Sequence, residues 1–367
     1  MGSVKSQNIF LSELMDFYRG RRVLITGDTG FKGSWLAILL QKFGAKVFGI
    51  SDSVIGEMSH YGYCGLERQY KSFRVDIRNR QNVLQVFNDV KPQIVFHLAA
   101  QSLVRESYAN PTNTFSTNVA GTANILDAVR VSPFVESVIN VTSDKCYKNR
   151  EWPWGYREND ELGGRDPYSA SKACAELVFE SFARSYFDER PTLGAVSVRA
   201  GNVIGGGDFA VDRIVPDCIR AFADGKPVQL RSPLSTRPWQ HVLEPLLGYL
   251  EVGASSAKTP SNYNGAWNFG PSESSIKTVQ DVANELSNSW SGSNVHSAVD
   301  HKAPYEAKVL HLSIEKAVSR LNWRPRWAFE ETMKQTASWY KSVILERKDA
   351  LKTSISQIEL YLESLHD

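Results

Sequence analysis

Arg22-Val23-Leu24-Ile25-Thr26-Gly27-Asp28-Thr29-Gly30-Phe31-Lys32-Gly33-Ser34-Trp35-Leu36-Ala37-Ile38-Leu39-Leu40 joins a short aliphatic run to a helix-forming stretch through three glycines. The run Arg22 to Thr26 predicts a strand buried on both faces. Gly27 and Gly30 let the backbone turn tightly and let a diphosphate approach the N-terminus of the following helix, where free N–H groups and the dipole favour an anion. Thr29, Phe31 and Lys32 complete that turn, and Gly33 permits close packing of helix on strand. The spacing is GxxGxxG, a variant of the GxGxxG dinucleotide fingerprint, and it gains weight from standing between a strand and a helix.

Working outward, Ala45-Lys46-Val47-Phe48-Gly49-Ile50 predicts the next strand, and it ends in Ser51-Asp52, near the offset at which a carboxylate bonds an adenosine ribose. No arginine stands directly there to receive a 2′-phosphate, which favours NAD over NADP. In Phe73-Arg74-Val75-Asp76-Ile77-Arg78, Asp76 is placed to bond an adenine amine with Ile77 beside it, or to cap the next helix. Ile94-Val95-Phe96-His97-Leu98-Ala99-Ala100 reads as a buried strand ending in small residues that allow close cofactor approach, with Leu98, Ala99 and Ala100 at the cofactor.

Strand-like runs near 22–26, 45–50, 71–76, 94–98, 135–142 and 193–199 alternate with helical stretches near 31–43, 79–90, 112–131 and 168–187. That alternation predicts an α/β fold: a doubly wound (Rossmann) parallel sheet with a smaller C-terminal α/β substrate-binding lobe. The expected division is a dinucleotide-binding domain over 1–200 with some later segments returning to it, a lobe over 201–340, and a helical tail over 341–367. After residue 200 the segments shorten and prolines at 216, 227, 233, 238, 245, 260 and 271 break the periodicity. The loop 151–166, with Trp152, Trp154 and Tyr156, suits a lid or an aromatic packing cluster.

At 367 residues and 42% hydrophobic, the chain supports a large α/β unit with an appendage. A net charge of +2 gives no hint of nucleic acid. No apolar run reaches the ~20 residues that span a membrane and the N-terminus lacks a signal-peptide core, so a soluble cytoplasmic protein is expected. Met1-Gly2-Ser3-Val4-Lys5-Ser6 matches a myristoylation pattern that chance explains as well. The 4 cysteines form no CxxC pair and the 7 histidines show no metal spacing, so neither a disulfide framework nor a metal site is expected.

Tyr168 and Lys172, in Asp166-Pro167-Tyr168-Ser169-Ala170-Ser171-Lys172, stand on one face of a helix start. There a fixed ammonium favours phenolate over phenol. Taken alone the pair is a surface contact; with the glycine turn it reads as a base working near neutral pH. Lowering a tyrosine pKa from ~10 to ~7 needs about 4 kcal/mol of differential stabilisation.

With these features in place the chain resembles the extended short-chain dehydrogenase/reductase family, and within it the nucleotide-sugar 4,6-dehydratases. The resemblance runs from roughly residue 20 to 340. It is carried by Gly30 to Trp35, Thr142-Ser143-Asp144-Lys145-Cys146-Tyr147, Gly163 to Tyr168, Arg199-Ala200-Gly201-Asn202-Val203-Ile204-Gly205-Gly206-Gly207-Asp208 and Arg237-Pro238-Trp239-Gln240-His241-Val242-Leu243-Glu244-Pro245. One departure is Asp28, where that family tends to carry histidine; a carboxylate there opposes a diphosphate unless it faces away.

The resemblance implies an NAD-dependent hydro-lyase of deoxysugar biosynthesis acting on CDP-glucose or a related nucleotide sugar. It also implies a homodimer through the helix holding Tyr168 and the long helix near 112–131. In the implied chemistry, Tyr168 takes the 4-hydroxyl proton as hydride leaves C4 for NAD⁺, while Lys172 holds phenolate and nicotinamide ribose. Ser143 orients the 4-oxygen, and Thr142 borders the cofactor. Asp144 is the acid for the departing 6-hydroxyl. Lys145, where thymidine-sugar relatives carry a glutamate, is either the C5 base or a stabiliser of the enolate. For the substrate, Arg237 leads as the diphosphate grip with Arg231 and Asn202 beside it, while Trp239 and His241 line the nucleotide pocket or pack. The alternatives are 4-epimerisation, dehydration of another nucleotide sugar, or a non-catalytic NAD-binding sensor.

Overall fold

The computed structural model describes residues 11–52, 58–230, 232–290, 295–297 and 310–366; Arg231 and the Met1–Ser6 pattern lie outside the described residues. Strands β1 (Arg22–Thr26), β2 (Lys46–Ser51), β3 (Lys71–Arg74), β4 (Ile94–His97), β5 (Ser137–Val141), β6 (Gly194–Arg199) and β7 (Gly265–Asn268) form a 7-stranded sheet. All pairs are parallel, in the order β7-β6-β5-β4-β1-β2-β3. Chain order reverses at β1, which lies between β2 and β4. The crevice at the carboxyl ends of β1 and β4 is where a doubly wound sheet receives its ligand.

Local chemistry sets the helix starts. Asp166 accepts the Ser169 N–H at 2.9 Å with Pro167 at the first helical position, starting Pro167–Phe182 at the turn that carries Tyr168. Asn79, not Asp76, caps Arg80–Val90 by accepting the Asn82 N–H at 3.1 Å. The expected long helix near 112–131 runs as Pro111–Phe115 and Gly121–Val131 joined by a wide π turn at Ser116–Ala120.

Helix Phe31–Lys42 is buried at every position from Gly33 to Leu40, so it has no solvent face to mark with polar residues. Its outer side is covered from the far end of the chain. His60 sits with Nδ1 2.9 Å from Ser34 Oγ and Nε2 2.9 Å from Ser354 Oγ, its ring stacked on Trp35. Lys42 pairs with Glu359. The segment expected as a tail is therefore core: Ile358, Tyr361 and Leu362 of helix Ala350–Glu363 are buried.

Beyond β6 the chain serves two purposes. Helix Leu243–Lys258 packs under β5 and β6, and β7 adds the last strand of the main sheet. Before that helix and after β7 the chain forms short ribbons: Val203–Ile204 with Gln240–His241, Thr236–Pro238 with Ile276–Thr278, and Val228–Leu230 with Val295–Ser297. These build the smaller lobe over the carboxyl end of the sheet. The loop 151–166 is packed rather than free. Tyr156 is buried, stacked between Tyr147 and Trp152, and bridged to Leu312, with Trp154 left at the surface.

Candidate active site

The glycine turn has the geometry its sequence demands. Gly27 has φ +74°, and a Cβ there would lie 2.8 Å from the Ala99 nitrogen, while a Cβ on Gly33 would lie 2.1 Å from the Gly27 carbonyl oxygen. Gly30 offers no side chain to cap helix Phe31–Lys42, and the first turn carries no acid. The orphan N–H groups of that turn therefore face the crevice free to take an anion.

Asp28 does not oppose an anion there. It is fully buried on the other side of the turn, accepting the Tyr70 hydroxyl at 3.2 Å, and a Cβ on Gly49 of β2 would fall 2.1 Å from its Oδ2. Burial raises its carboxyl above the ordinary range, against hydrogen bonds from Ser72 and Tyr70 and the charge of Arg74.

A cleft of about 1070 Å³ opens over the turn. Its lining brings together Gly27, Thr29, Gly30, Phe31, Lys32, Gly33, Asp76, Ile77, Leu98, Ala99 and Ala100 with Thr142, Ser143, Asp144, Lys145, Tyr168 and Lys172. From the smaller lobe, Asn202, Arg237 and Trp239 also line it. That volume lies at the top of the usual range for a ligand pocket, roughly 300–1,000 Å³. His241 is the exception among described site candidates. It is fully buried, its ring 4.8 Å from Trp327 and 6.0 Å from Trp35, and burial lowers its pKa to about 3. It packs in the core behind the cleft because its two-residue strand turns it inward. Asp76 is engaged by Arg78, whose Nε donates to both carboxylate oxygens at 3.0 and 2.9 Å, holding the carboxyl below its usual range.

At the centre, β5 delivers Thr142 and Ser143 to the start of helix Pro167–Phe182. Ser143 Oγ donates to Asp144 Oδ1 at 2.9 Å and accepts the Lys145 N–H at 3.2 Å, and it also hydrogen-bonds the Tyr168 phenol. Asp144 is buried with Oδ2 unpartnered. Tyr168 is buried in the cleft. Its pKa is pushed up to about 12, because burial outweighs the Ser143 hydrogen bond and the Arg213 charge that pull it down, and Asp144 pushes it further up. Lys172 is itself buried and lowered to about 8, with Glu176 one turn on opposing the loss of its charge. Desolvation is the largest influence on both groups, and the cation that acts on the phenol is Arg213.

Several positions escaped the sequence reading. Gly201 leaves room for the Asp144 carboxylate, since a Cβ there would lie 2.0 Å from Oδ2. Arg213, paired with Asp208 at 2.8 Å, brings a cation to Tyr168 from the loop after the glycine run. Asn118, in the π turn, donates to Ser171 Oγ at 2.8 Å and accepts the Gln101 N–H at 2.8 Å, tying the loop after β4 to the Tyr168 helix. Glu176 accepts from Thr142, from Ser197 at 2.7 Å and from Arg199 at 2.7 Å. Only Glu176 left a legible signal, its i,i+4 spacing from Lys172.

A dinucleotide-type crevice and Ser143, Tyr168 and Lys172 sharing one cleft are the arrangement of a short-chain dehydrogenase/reductase. Residues 24–336 match the family described as GDP-mannose 4,6 dehydratase, and the chain belongs to it. Among characterised relatives, it is 44% identical to CDP-glucose 4,6-dehydratase of Salmonella typhimurium over 354 residues, 95% of this chain and 98% of that protein. Among solved structures, DesIV, the dTDP-glucose 4,6-dehydratase of Streptomyces venezuelae with NAD bound, superposes with TM-score 0.76 at 22% identity, covering 90% of this chain and 99% of that one. The UDP-glucose 4-epimerase of Thermus thermophilus in complex with NAD gives 0.75 at 25% identity, covering 88% and 100%.

Proposed function

We propose that the protein is an NAD-dependent CDP-glucose 4,6-dehydratase, converting CDP-D-glucose to CDP-4-keto-6-deoxy-D-glucose. The observation that carries this reading is the convergence of Ser143, Asp144, Lys145, Tyr168 and Lys172 in one cleft with the glycine turn, in a chain 44% identical to a CDP-glucose 4,6-dehydratase. A simple 4-epimerase has no use for the Asp144-Lys145 pair. The free first turn of helix Phe31–Lys42, Leu98 with the small Ala99 and Ala100, and Asp76 with Ile77 fit NAD. Bound there, NAD oxidises C4 and gives the same hydrogen back at C6.

The chain's own residues do the rest. Ser143 holds the 4-oxygen and lowers the cost of ionising Tyr168, which takes the 4-hydroxyl proton. Lys172, held charged by Glu176, stabilises the phenolate so formed. With C4 a ketone, the C5 hydrogen becomes acidic; Lys145 removes it or stabilises the enolate, and Asp144 protonates the departing 6-hydroxyl, which leaves as water. Arg237, Asn202 and Trp239 grip the nucleoside diphosphate in the smaller lobe.

The decisive experiment incubates the protein with NAD and CDP-, dTDP-, GDP- or UDP-glucose and follows products by NMR. Conversion of CDP-glucose, with deuterium at C4 recovered at C6, is expected; unchanged sugar or 4-epimer overturns the reading. In Asp144→Asn, C4 oxidation should persist while dehydration slows about 10³-fold, so reduced cofactor accumulates. We further propose a cytoplasmic homodimer. Phe115 and Val131 on one helical stretch and Leu177 and Tyr186 on the other are exposed apolar residues, suited to a second copy of the chain, and sedimentation velocity tests it.

A further inference from the structure

We propose that Tyr147 is a positioning residue for the elimination half of the reaction, its hydroxyl serving as the far pin of a clamp that fastens the segment bearing Asp144 and Lys145 to the Tyr168 helix. The inference rests on the dehydratase reading and deepens it, assigning a role to a side chain that stands behind the cleft rather than in it.

The segment Thr142 to Tyr147 leaves the end of β5, carries Ser143, Asp144 and Lys145 into the cleft, and returns to the core. Both of its ends are fastened to one carboxylate. At the near end, Thr142 Oγ1 donates to Glu176 Oε1. At the far end, Arg199 Nη1 donates to the Tyr147 hydroxyl at 2.6 Å while Arg199 Nη2 donates to Glu176 Oε2 at 2.7 Å. Glu176 lies one turn beyond Lys172 on helix Pro167–Phe182, so the clamp refers the whole segment to the element that carries Tyr168. The Tyr147 phenol is fully buried and fully engaged. Besides accepting from Arg199 it donates to Asn268 Oδ1 on β7 at 2.8 Å, and its ring stacks on Tyr156 with centroids 5.3 Å apart.

The two pins serve different groups. Ser143 is the neighbour of Thr142, so the near pin sets the hydroxyl that works with Tyr168 in the oxidation at C4. Asp144 and Lys145 sit on the single turn Asp144–Cys146, which the Tyr147 N–H closes by donating to the Asp144 carbonyl at 3.3 Å. The Gly163 N–H donates to the Cys146 carbonyl at 2.9 Å and ties that turn to the loop 151–166; the Tyr147 hydroxyl ties it, through Arg199, to the Tyr168 helix. With one Asp144 oxygen on Ser143 and the other unpartnered, the aim of the carboxyl follows the backbone beneath it. Removing the hydroxyl therefore leaves the oxidation machinery seated and loosens the acid and the lysine that act on C5 and C6.

The test compares Tyr147→Phe with the parent protein on CDP-glucose and NAD, following reduced nicotinamide by stopped-flow absorbance through the first turnover and the 4-keto-6-deoxy product by quenching and NMR. The variant should reduce its cofactor at the parental rate and lose water about 10²-fold more slowly, the scale of a misplaced catalytic group. Reduced cofactor then accumulates, while NAD affinity measured by calorimetry stays unchanged. A merely structural hydroxyl would lower Tm and leave the balance between oxidation and elimination as in the parent; that result overturns the proposal, and so does oxidation slowed in the same proportion as elimination. Arg199→Lys gives a second reading, because an ammonium keeps the charge beside Glu176 but lacks the fork that also reaches Tyr147. The same accumulation is expected there, and a parental balance in that variant rejects the proposal even where Tyr147→Phe does not fold. If neither variant folds, the contact is a folding element and the proposal fails. A parent protein that turns over no nucleotide sugar fails the dehydratase reading instead, before either variant is needed.

Discussion

Two buried carboxylates stand close together around the Tyr168 helix and are treated in opposite ways. Glu176 has both oxygens engaged by Thr142, Ser197 and Arg199, and the ion pair is 3–4% exposed at either end. Asp144 has one oxygen on Ser143 and one unpartnered, with no salt bridge to it among the described residues. The first arrangement is a fixed strut; the second keeps hydrogen-bonding capacity in reserve for something that changes charge. Between these two, full engagement goes with a structural role and an open oxygen with a place in the cleft.

The sharpest way to break that contrast is Tyr168→Phe. Removing the phenol from the deficient centre should lower turnover by about 10⁴-fold, the upper range for an acid–base group, with NAD affinity retained; full activity would show that the centre is not catalytic. Glu176→Gln attacks the saturated side. Leaving Arg199 buried without its carboxylate should cost about 3–5 kcal/mol, read as a lower Tm and midpoint in urea. It also removes the charge that supports Lys172. The ammonium, already lowered to about 8, should then discharge at lower pH, and the alkaline limb of turnover should move down. Gly201→Ala tests the reserve sterically. A methyl 2.0 Å from Asp144 Oδ2 must displace the carboxylate, with an expected loss of about 10²-fold in kcat and little loss of Tm.

A third buried carboxylate calibrates the comparison. Glu244 accepts the Arg326 and Trp327 N–H groups and the Tyr361 hydroxyl, and burial raises its carboxyl to about 7. Because the folded protein holds this proton more tightly than the unfolded chain, Glu244 makes stability fall as pH rises from its ordinary value toward about 7. Glu244→Gln should flatten that slope, which melting curves at a series of pH values will show. An unchanged slope would assign the decline elsewhere.

How much of this was legible follows from what each feature depends on. The glycine turn and the strands around it were readable because local requirements fix them: a left-handed Gly27, a helix packed onto Gly33, aliphatic runs long enough to cross a sheet. The convergence of Ser143 with Tyr168 was readable because a doubly wound sheet brings strand ends and following helices to one edge. The phenol's high pKa was not, since spacing along a helix reports a neighbour's charge but not how much water the fold removes. Nor was the role of Gly201, which answers to a side chain 57 positions earlier. For His241 and the aromatics of 151–166 the sequence left pocket or lid and packing both open, and packing of His241 and Tyr156 is decided by Trp35, Trp327 and Leu312, partners remote in the chain.

The cover that helix Ala350–Glu363 places over helix Phe31–Lys42 has a bearing on biosynthesis. Helix Phe31–Lys42, buried from Gly33 to Leu40, is translated more than three hundred residues before the helix that covers it. Until that later segment arrives, one side of the helix lacks its native cover. A chain cut ahead of Ala350 would keep the Tyr168 helix intact in sequence and lose this cover, so it is expected to aggregate more readily than the parent protein.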